Sequence, residues 1–151
     1  MTRFFVEPAD FQPDFMVLTG ENAQHAKVLR LKAGEEVLVC DGQGQECICK
    51  IVDAQPSEVV LEVLERRASE TEAKVRVSVY MAFPKADKLE HVIQKATELG
   101  AYEIVAFPSA RCISRPDEKS LAKKIERWQK IAASAAEQSG RGGIPQVLTL
   151  P

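Results

Sequence analysis

Apolar positions come in short alternating runs along the first half of the chain and switch to three- and four-residue steps in the second. Arg3-Phe4-Phe5-Val6 predicts a short strand ended by Glu7-Pro8, and Phe11 to Phe15, around Pro13, predicts a loop. Met16-Val17-Leu18 predicts a second strand. Thr19 to Asn22 offers capping residues for a short helix over Ala23 to Arg30, on which His25, Val28 and Leu29 share a face. Val37 to Cys40 and Glu46 to Val52 form a predicted hairpin across the glycine-bearing connection Asp41 to Gln45. Pro56-Ser57 then turns the chain into a strand over Val59 to Leu64. Short strands, one short helix and no crossover helix predict a small β-barrel ending near Glu65. The polar run Glu65 to Lys74 has no apolar period and predicts a linker, which sets domains at residues 1–68 and 74–151.

The second half has a different period. Val75 to Phe83 predicts a strand, and Leu89, Val92, Ile93, Ala96 and Leu99 form one stripe of a helix over residues 86–99. Ala86 or Asp87 caps its start, and Gly100 supplies the left-handed residue that stops it. A strand over residues 103–107 follows at once, so strand, helix and strand close as a right-handed crossover between parallel strands. Asp117 to Ser139 predicts a long helix carrying Leu121, Ile125, Trp128, Ile131, Ala132 and Ala135 on one side, and Gly140 to Gly143 ends it. Ile144 to Leu150 starts a third strand. Three parallel strands with two helices make a partial α/β unit, which is expected to leave an edge strand and apolar surface exposed. The expected fold class is therefore a two-domain α+β chain, a β-barrel followed by a partial α/β domain.

Composition narrows the function. With 151 residues, 45% hydrophobic and 28% charged, the chain has what a folded protein needs, and disorder is excluded. The formal net charge of -2 gives no overall attraction to nucleic acid or acidic membranes, so any such site must come from local clustering. Cys40, Cys47, Cys49 and Cys112 form no CxxC pair and no histidine lies at a ligand spacing, so no metal site is expected. They read as small apolar residues in a reducing compartment. The amino terminus lacks a signal peptide's apolar core and no run approaches a membrane span, which predicts a cytoplasmic protein without a membrane partner.

Five stretches carry a more specific signal: R-F-F-V at Arg3 to Val6, H-A-K-V-L-R-L-K-A-G at His25 to Gly34, K-A-D-K-L-E-H-V-I-Q-K-A-T-E-L-G at Lys85 to Gly100, P-S-A-R at Pro108 to Arg111, and A-A-E-Q-S-G-R at Ala135 to Arg141. In order and spacing they resemble the RsmE family, the 16S ribosomal RNA (uracil-N3)-methyltransferases. That resemblance implies a PUA-like RNA-binding barrel followed by a SPOUT-type methyltransferase domain, Rossmann-like and knotted in the full family. It further implies a homodimer, S-adenosylmethionine as methyl donor, and 16S ribosomal RNA or the small ribosomal subunit as partner. The family's chain continues into a knotted segment with G-P-E-G-G-like and L-R-x-E-T-A-like stretches that hold the cofactor. Neither stretch occurs here, so the chain reads as a family amino-terminal portion, without a cofactor-binding residue of its own and inactive alone.

The resemblance assigns expectations to single residues. Arg3, Lys27, Arg30 and Lys32 are by themselves either solvated surface or a basic patch, and the resemblance implies that this face holds RNA phosphates. His25 either contacts RNA or is a buried, hydrogen-bonded histidine. Lys85, before the central helix, and Gln138, at the end of the long one, are further RNA-binding candidates. Arg111 follows the second parallel strand, at the sheet end where α/β proteins place ligands. Arg141 either positions the uridine or answers the helix dipole. Methylating N3 of uridine requires loss of its proton, so a site must stabilise the anion developing on the base, and Arg111 and Arg141 are the candidates. No residue reads as a general base. Two other readings stand beside the enzyme: a non-catalytic RNA-binding module, and a dimerisation scaffold using Trp128 and the alanine-rich helix face.

Overall fold

A computed structural model describes residues 1–113 and 115–151. The chain divides into two compact units, Met1–Thr71 and Glu72–Pro151.

The first unit is a five-stranded sheet built from β1 (Thr2–Phe5), β2 (Phe15–Thr19), β3 (Glu36–Cys40), β4 (Gln45–Ala54) and β5 (Glu58–Ala68), with α1 (Gly20–Val28) against it. Strand order is β1-β3-β4-β5-β2, and β1 runs parallel to β3 while the other pairs are antiparallel. Alternation puts Phe4, Met16, Leu18, Val37, Val39, Cys47, Cys49, Ile51, Val59 and Leu61 on one side, and all lie in a single core. Register shifts in the β4–β5 pair at Ile48/Cys49 and Ile51/Asp53 add local twist, so the sheet curls around that core. The expected linker begins too early. β5 continues to Ala68 because Gln45 to Ile48 of β4 pair with Glu65 to Ala68, and backbone pairing needs no apolar side chains.

The short helix packs differently from its sequence reading. Ala23 and Ala26 are buried, whereas Val28 and Leu29 are exposed, because small residues let the helix approach the sheet closely. No side chain caps α1; Asn22 donates instead to the Phe5 carbonyl at 2.8 Å and ties the helix to β1.

The second unit is a parallel sheet of β6 (Ser78–Ala82), β7 (Glu103–Phe107) and β8 (Gln146–Thr149), in that order, with α2 (Lys88–Glu98) and α3 (Glu118–Ser139). β7 lies in the middle, and Ile104, Val105 and Ala106 are buried there. The stripe on α2 is Leu89, Ile93 and Ala96 with Thr97, whose hydroxyl donates to the Ile93 carbonyl at 2.7 Å. Leu99 is left out at 86% exposed. It borders an open apolar groove of about 520 Å³ with Val75, Val77 and Val79, along the edge strand β6. The strand expected from Val75 starts only at Ser78, and the third strand is likewise trimmed to Gln146–Thr149. Asp87 is the α2 N-cap residue, one of the two expected, although its side chain makes no capping bond, and Ala86 before it has a φ of 52°.

On α3, Asp117 accepts from the Ser120 amide at 2.7 Å and Gly140 closes the helix at a φ of 75°. Trp128, Ala132, Ala135 and Ala136 face the unit's own core, with the Trp128 ring 6.3 Å from Phe83. That removes the scaffold reading, whose helix face is already filled. Gln129 holds the other side, donating to the Pro145 carbonyl at 2.9 Å and accepting from the Val147 amide at 3.0 Å.

Candidate nucleic-acid interface

Three of the expected basic residues converge. Lys27 and Arg30 at the end of α1 and Lys32 just after it line one cavity of about 270 Å³, closed on the far side by Ala54, Gln55 and Pro56 of the β4–β5 turn. Leu31 between them is half-buried against the core. All three cations are exposed, and among the described residues no carboxylate or other side chain holds any of them. Arg30 takes a φ of 56° as α1 ends, while the Leu31 amide donates back to the Ala26 carbonyl at 3.1 Å. That is a left-handed helix stop, a place usually given to glycine.

The structure does not bring Arg3 and His25 to that cavity. Arg3 is nearly buried and donates to Glu46 Oε2 at 3.2 Å and to Cys40 Sγ at 3.0 Å. Glu46, also buried, accepts from Arg67 Nε at 2.8 Å, so one carboxylate joins β1 and β5 through two arginines. His25 is half-buried and sets its ring edge-on to Phe4, the centroids 5.6 Å apart. Burial pushes the thiols of Cys40 and Cys49 up to about 11 and about 12, so these cysteines are inert core residues.

In the second unit, Lys85 and Arg111 lie exposed in the loops that follow β6 and β7, at the carboxyl end of the sheet. Between those loops sits Cys112. It accepts from the Ser109 amide at 3.2 Å, lies 3.4 Å from the Ser109 hydroxyl and donates to the Phe83 carbonyl at 3.4 Å. The Ser109 hydrogen bonds, helped by the charge of Arg115 and the backbone of Phe83, hold this thiol below its ordinary value against the opposing effect of burial. Arg115 donates to the Ser109 carbonyl at 2.9 Å and so ties down the same loop. Cys112 is therefore not the small apolar residue its sequence suggests. Gln138 is elsewhere, exposed in a cleft of about 430 Å³ between α2 and α3 with Asp87, His91, Gln94 and Ser134.

Arg141 is turned inward and not out at the helix end. Its guanidinium donates to Glu72 at 2.7 and 3.2 Å and to the carbonyls of Ala101 and Thr97 at 2.7 and 3.3 Å. Glu72 also accepts from the Gly143 amide at 2.8 Å. Burial raises the Glu72 carboxyl, but the Arg141 hydrogen bonds and charge, with the amides of Gly143 and Gly142, more than offset this and leave it below the usual range. Sequence reasoning missed Glu72, which lies in a featureless polar run, and the Ala54 to Pro56 wall, which carries only turn residues.

Among the described residues no buried side-chain nitrogen or oxygen lacks a hydrogen-bond partner, and no group of histidine, cysteine and acidic residues is arranged for a metal. Among the described residues no buried side-chain donor or acceptor is left for S-adenosylmethionine to satisfy.

Comparison with known proteins places both units. The RNA methyltransferase domain family matches residues 71–151, and the RNA methyltransferase PUA domain matches residues 18–64. Ribosomal RNA small subunit methyltransferase E of Bacillus subtilis is 38% identical over 98% of this chain and 59% of its own length. The protein of that name in Mycobacterium bovis is 34% identical over 95% of this chain and 55% of its own. A crystal structure of ribosomal RNA small subunit methyltransferase E from Neisseria gonorrhoeae bound to S-adenosyl methionine superposes with a TM-score of 0.90 at 29% identity, covering 99% of this chain and 62% of that one. The chain thus spans about three fifths of the length of the relatives it matches. With the methyltransferase match covering over half of its residues and the PUA match lying in the curled sheet, the chain belongs to the RNA methyltransferase family, of which the RsmE proteins are part.

Proposed function

We propose that this chain supplies the RNA-holding unit and part of the catalytic unit of an enzyme that methylates N3 of a uridine in 16S ribosomal RNA, with S-adenosylmethionine as methyl donor. The observation that carries the reading is the pairing in one chain of a PUA-matched unit bearing three unpaired cations on one cavity with a methyltransferase-matched α/β unit. In finer detail the first unit acts as a PUA-like barrel and the second as the opening part of a SPOUT-type fold, in a cytoplasmic homodimer. Lys27, Arg30 and Lys32 hold RNA phosphates. Lys85 and Gln138 are secondary RNA contacts, and Arg3 and His25 support the RNA-holding unit from within. Arg111, exposed at the carboxyl end of β7, stabilises negative charge developing on the uracil carbonyls as N3 loses its proton. Arg141 acts through Glu72 as a positioning residue.

N3 methylation removes the base's Watson–Crick donor, so reverse transcriptase halts there, and that halt is the test. Disrupting the gene abolishes one halt in 16S ribosomal RNA, an intact copy restores it, and an Arg111→Ala copy restores it poorly. An unchanged halt pattern after disruption overturns the reading. The three cations on one cavity also fit a second reading, a non-catalytic RNA-binding module. In that case disruption leaves every halt in place while the protein still binds ribosomal RNA.

A further inference from the structure

The cavity at the end of α1 is built for more than phosphate, and the step taken here rests on the RNA-binding reading above. Phosphate contacts alone need cations on an open face. Here the cations ring a recess whose wall is apolar, formed by Leu31, Ala54 and Pro56. Its volume, about 270 Å³, lies just below the range of ordinary small-molecule sites, too small for a helical rod of RNA and suited to one planar group with its sugar. Proteins that recognise single-stranded RNA combine a plane on which a base stacks, an aromatic ring or an arginine guanidinium, with charges that track the backbone, and here the plane is that of Arg30.

Arg30 adds an independent observation. It occupies a left-handed helix stop, at a φ of 56°, where glycine is the ordinary residue, and among the described residues no side chain pairs with its guanidinium. An arginine at such a position carries backbone strain without a side-chain hydrogen bond or ion pair in return among the described residues. A guanidinium plane both stacks on a base and pairs with a phosphate, so a nucleotide answers both properties at once. We propose that this recess takes one unstacked nucleotide of a single-stranded RNA segment, its base against Leu31, Ala54 and Pro56 and its flanking phosphates on Lys27, Arg30 and Lys32. The recess lies in the PUA-matched unit while the methyltransferase match covers residues 71–151, so on this proposal it anchors the RNA at a nucleotide other than the one modified.

The test is fluorescence anisotropy of the 151-residue chain with a labelled twelve-nucleotide single-stranded RNA and with the same strand in a duplex. The single strand is expected to bind about tenfold more tightly than the duplex, toward the low end of what one base–side-chain contact contributes. Ala54→Leu fills the recess without touching a charge and is expected to lower single-strand affinity by about tenfold while leaving duplex binding unchanged. Arg30→Gly is the second variant, expected to raise the melting temperature while weakening single-strand binding. Equal affinity for strand and duplex overturns the proposal, as does wild-type single-strand binding by either variant with its thermal transition intact. Those results leave RNA binding itself standing, whereas failure of the wild-type chain to bind either RNA removes the wider reading too.

Discussion

Two glutamates show how local surroundings set the acid–base behaviour of the second unit, and they act in opposite senses. Glu72 is held below its ordinary carboxyl value by Arg141 and the Gly143 and Gly142 amides, despite the opposing effect of burial. Its contribution is complete above the unfolded value of 4.5 and is lost as pH falls through the depressed folded value. Glu72→Ala takes the carboxylate partner from the buried Arg141 guanidinium, and urea denaturation at pH 7 should show a loss of about 2 kcal/mol. Glu137 is the reverse case: burial alone lifts its carboxyl from 4.5 to about 7. The folded unit then binds more protons than the unfolded chain between those values, so stability falls as pH rises from 4.5 to 7 and the penalty is complete above 7. Glu137→Gln should accordingly raise the melting temperature at pH 8 and leave it nearly unchanged at pH 4.5. An equal gain at both pH values would show that the carboxyl charge is not the cause.

At the scale of elements, the hydrophobic period located α2, α3 and β7 well and the edges poorly. β7 has three consecutive buried residues and short connections, so its run of Ile104, Val105 and Ala106 could only be an interior strand. The end of β5 was hidden, since Arg66 and Arg67 show no apolar alternation and are ordered by backbone pairing with β4. Arg66 then covers Phe11, 4.9 Å from the ring centroid, a contact between residues far apart in sequence. The candidate site divides the same way: Lys27, Arg30 and Lys32 are close in sequence and were legible together, but their facing wall arrives from the β4–β5 turn. Arg3, equally basic in sequence, was claimed by the buried Glu46. Where sequence and structure agree on a terminus, the cap is a direct test. Asp117 accepts from Ser120 at the first turn of α3, so Asp117→Ala should cost about 1 kcal/mol, measured by urea denaturation, and Asp117→Asn much less.

For the whole molecule, the proposed RNA binding has to be reconciled with a net charge of -2. Its twenty Lys and Arg residues are outnumbered by its acids, so no overall field draws RNA in, and attraction must come from cations that no carboxylate has neutralised. The structure sorts them. Arg3, Arg67, Lys95, Arg127, Lys130 and Arg141 are in ion pairs, while among the described residues Lys27, Arg30 and Lys32 stand unpaired on one cavity. A site of three phosphate contacts makes a numerical prediction. On single-stranded RNA each contact releases roughly 0.7 of a counterion, so the logarithm of the binding constant should fall against the logarithm of salt concentration with a slope of about -2. Lys32→Gln should bring that slope to about -1.4, whereas Lys130→Gln, on an already paired cation, should leave it at its original value. A slope of about -5 would assign the RNA to a surface much wider than the cavity, with affinity spread over cations that the cluster does not include.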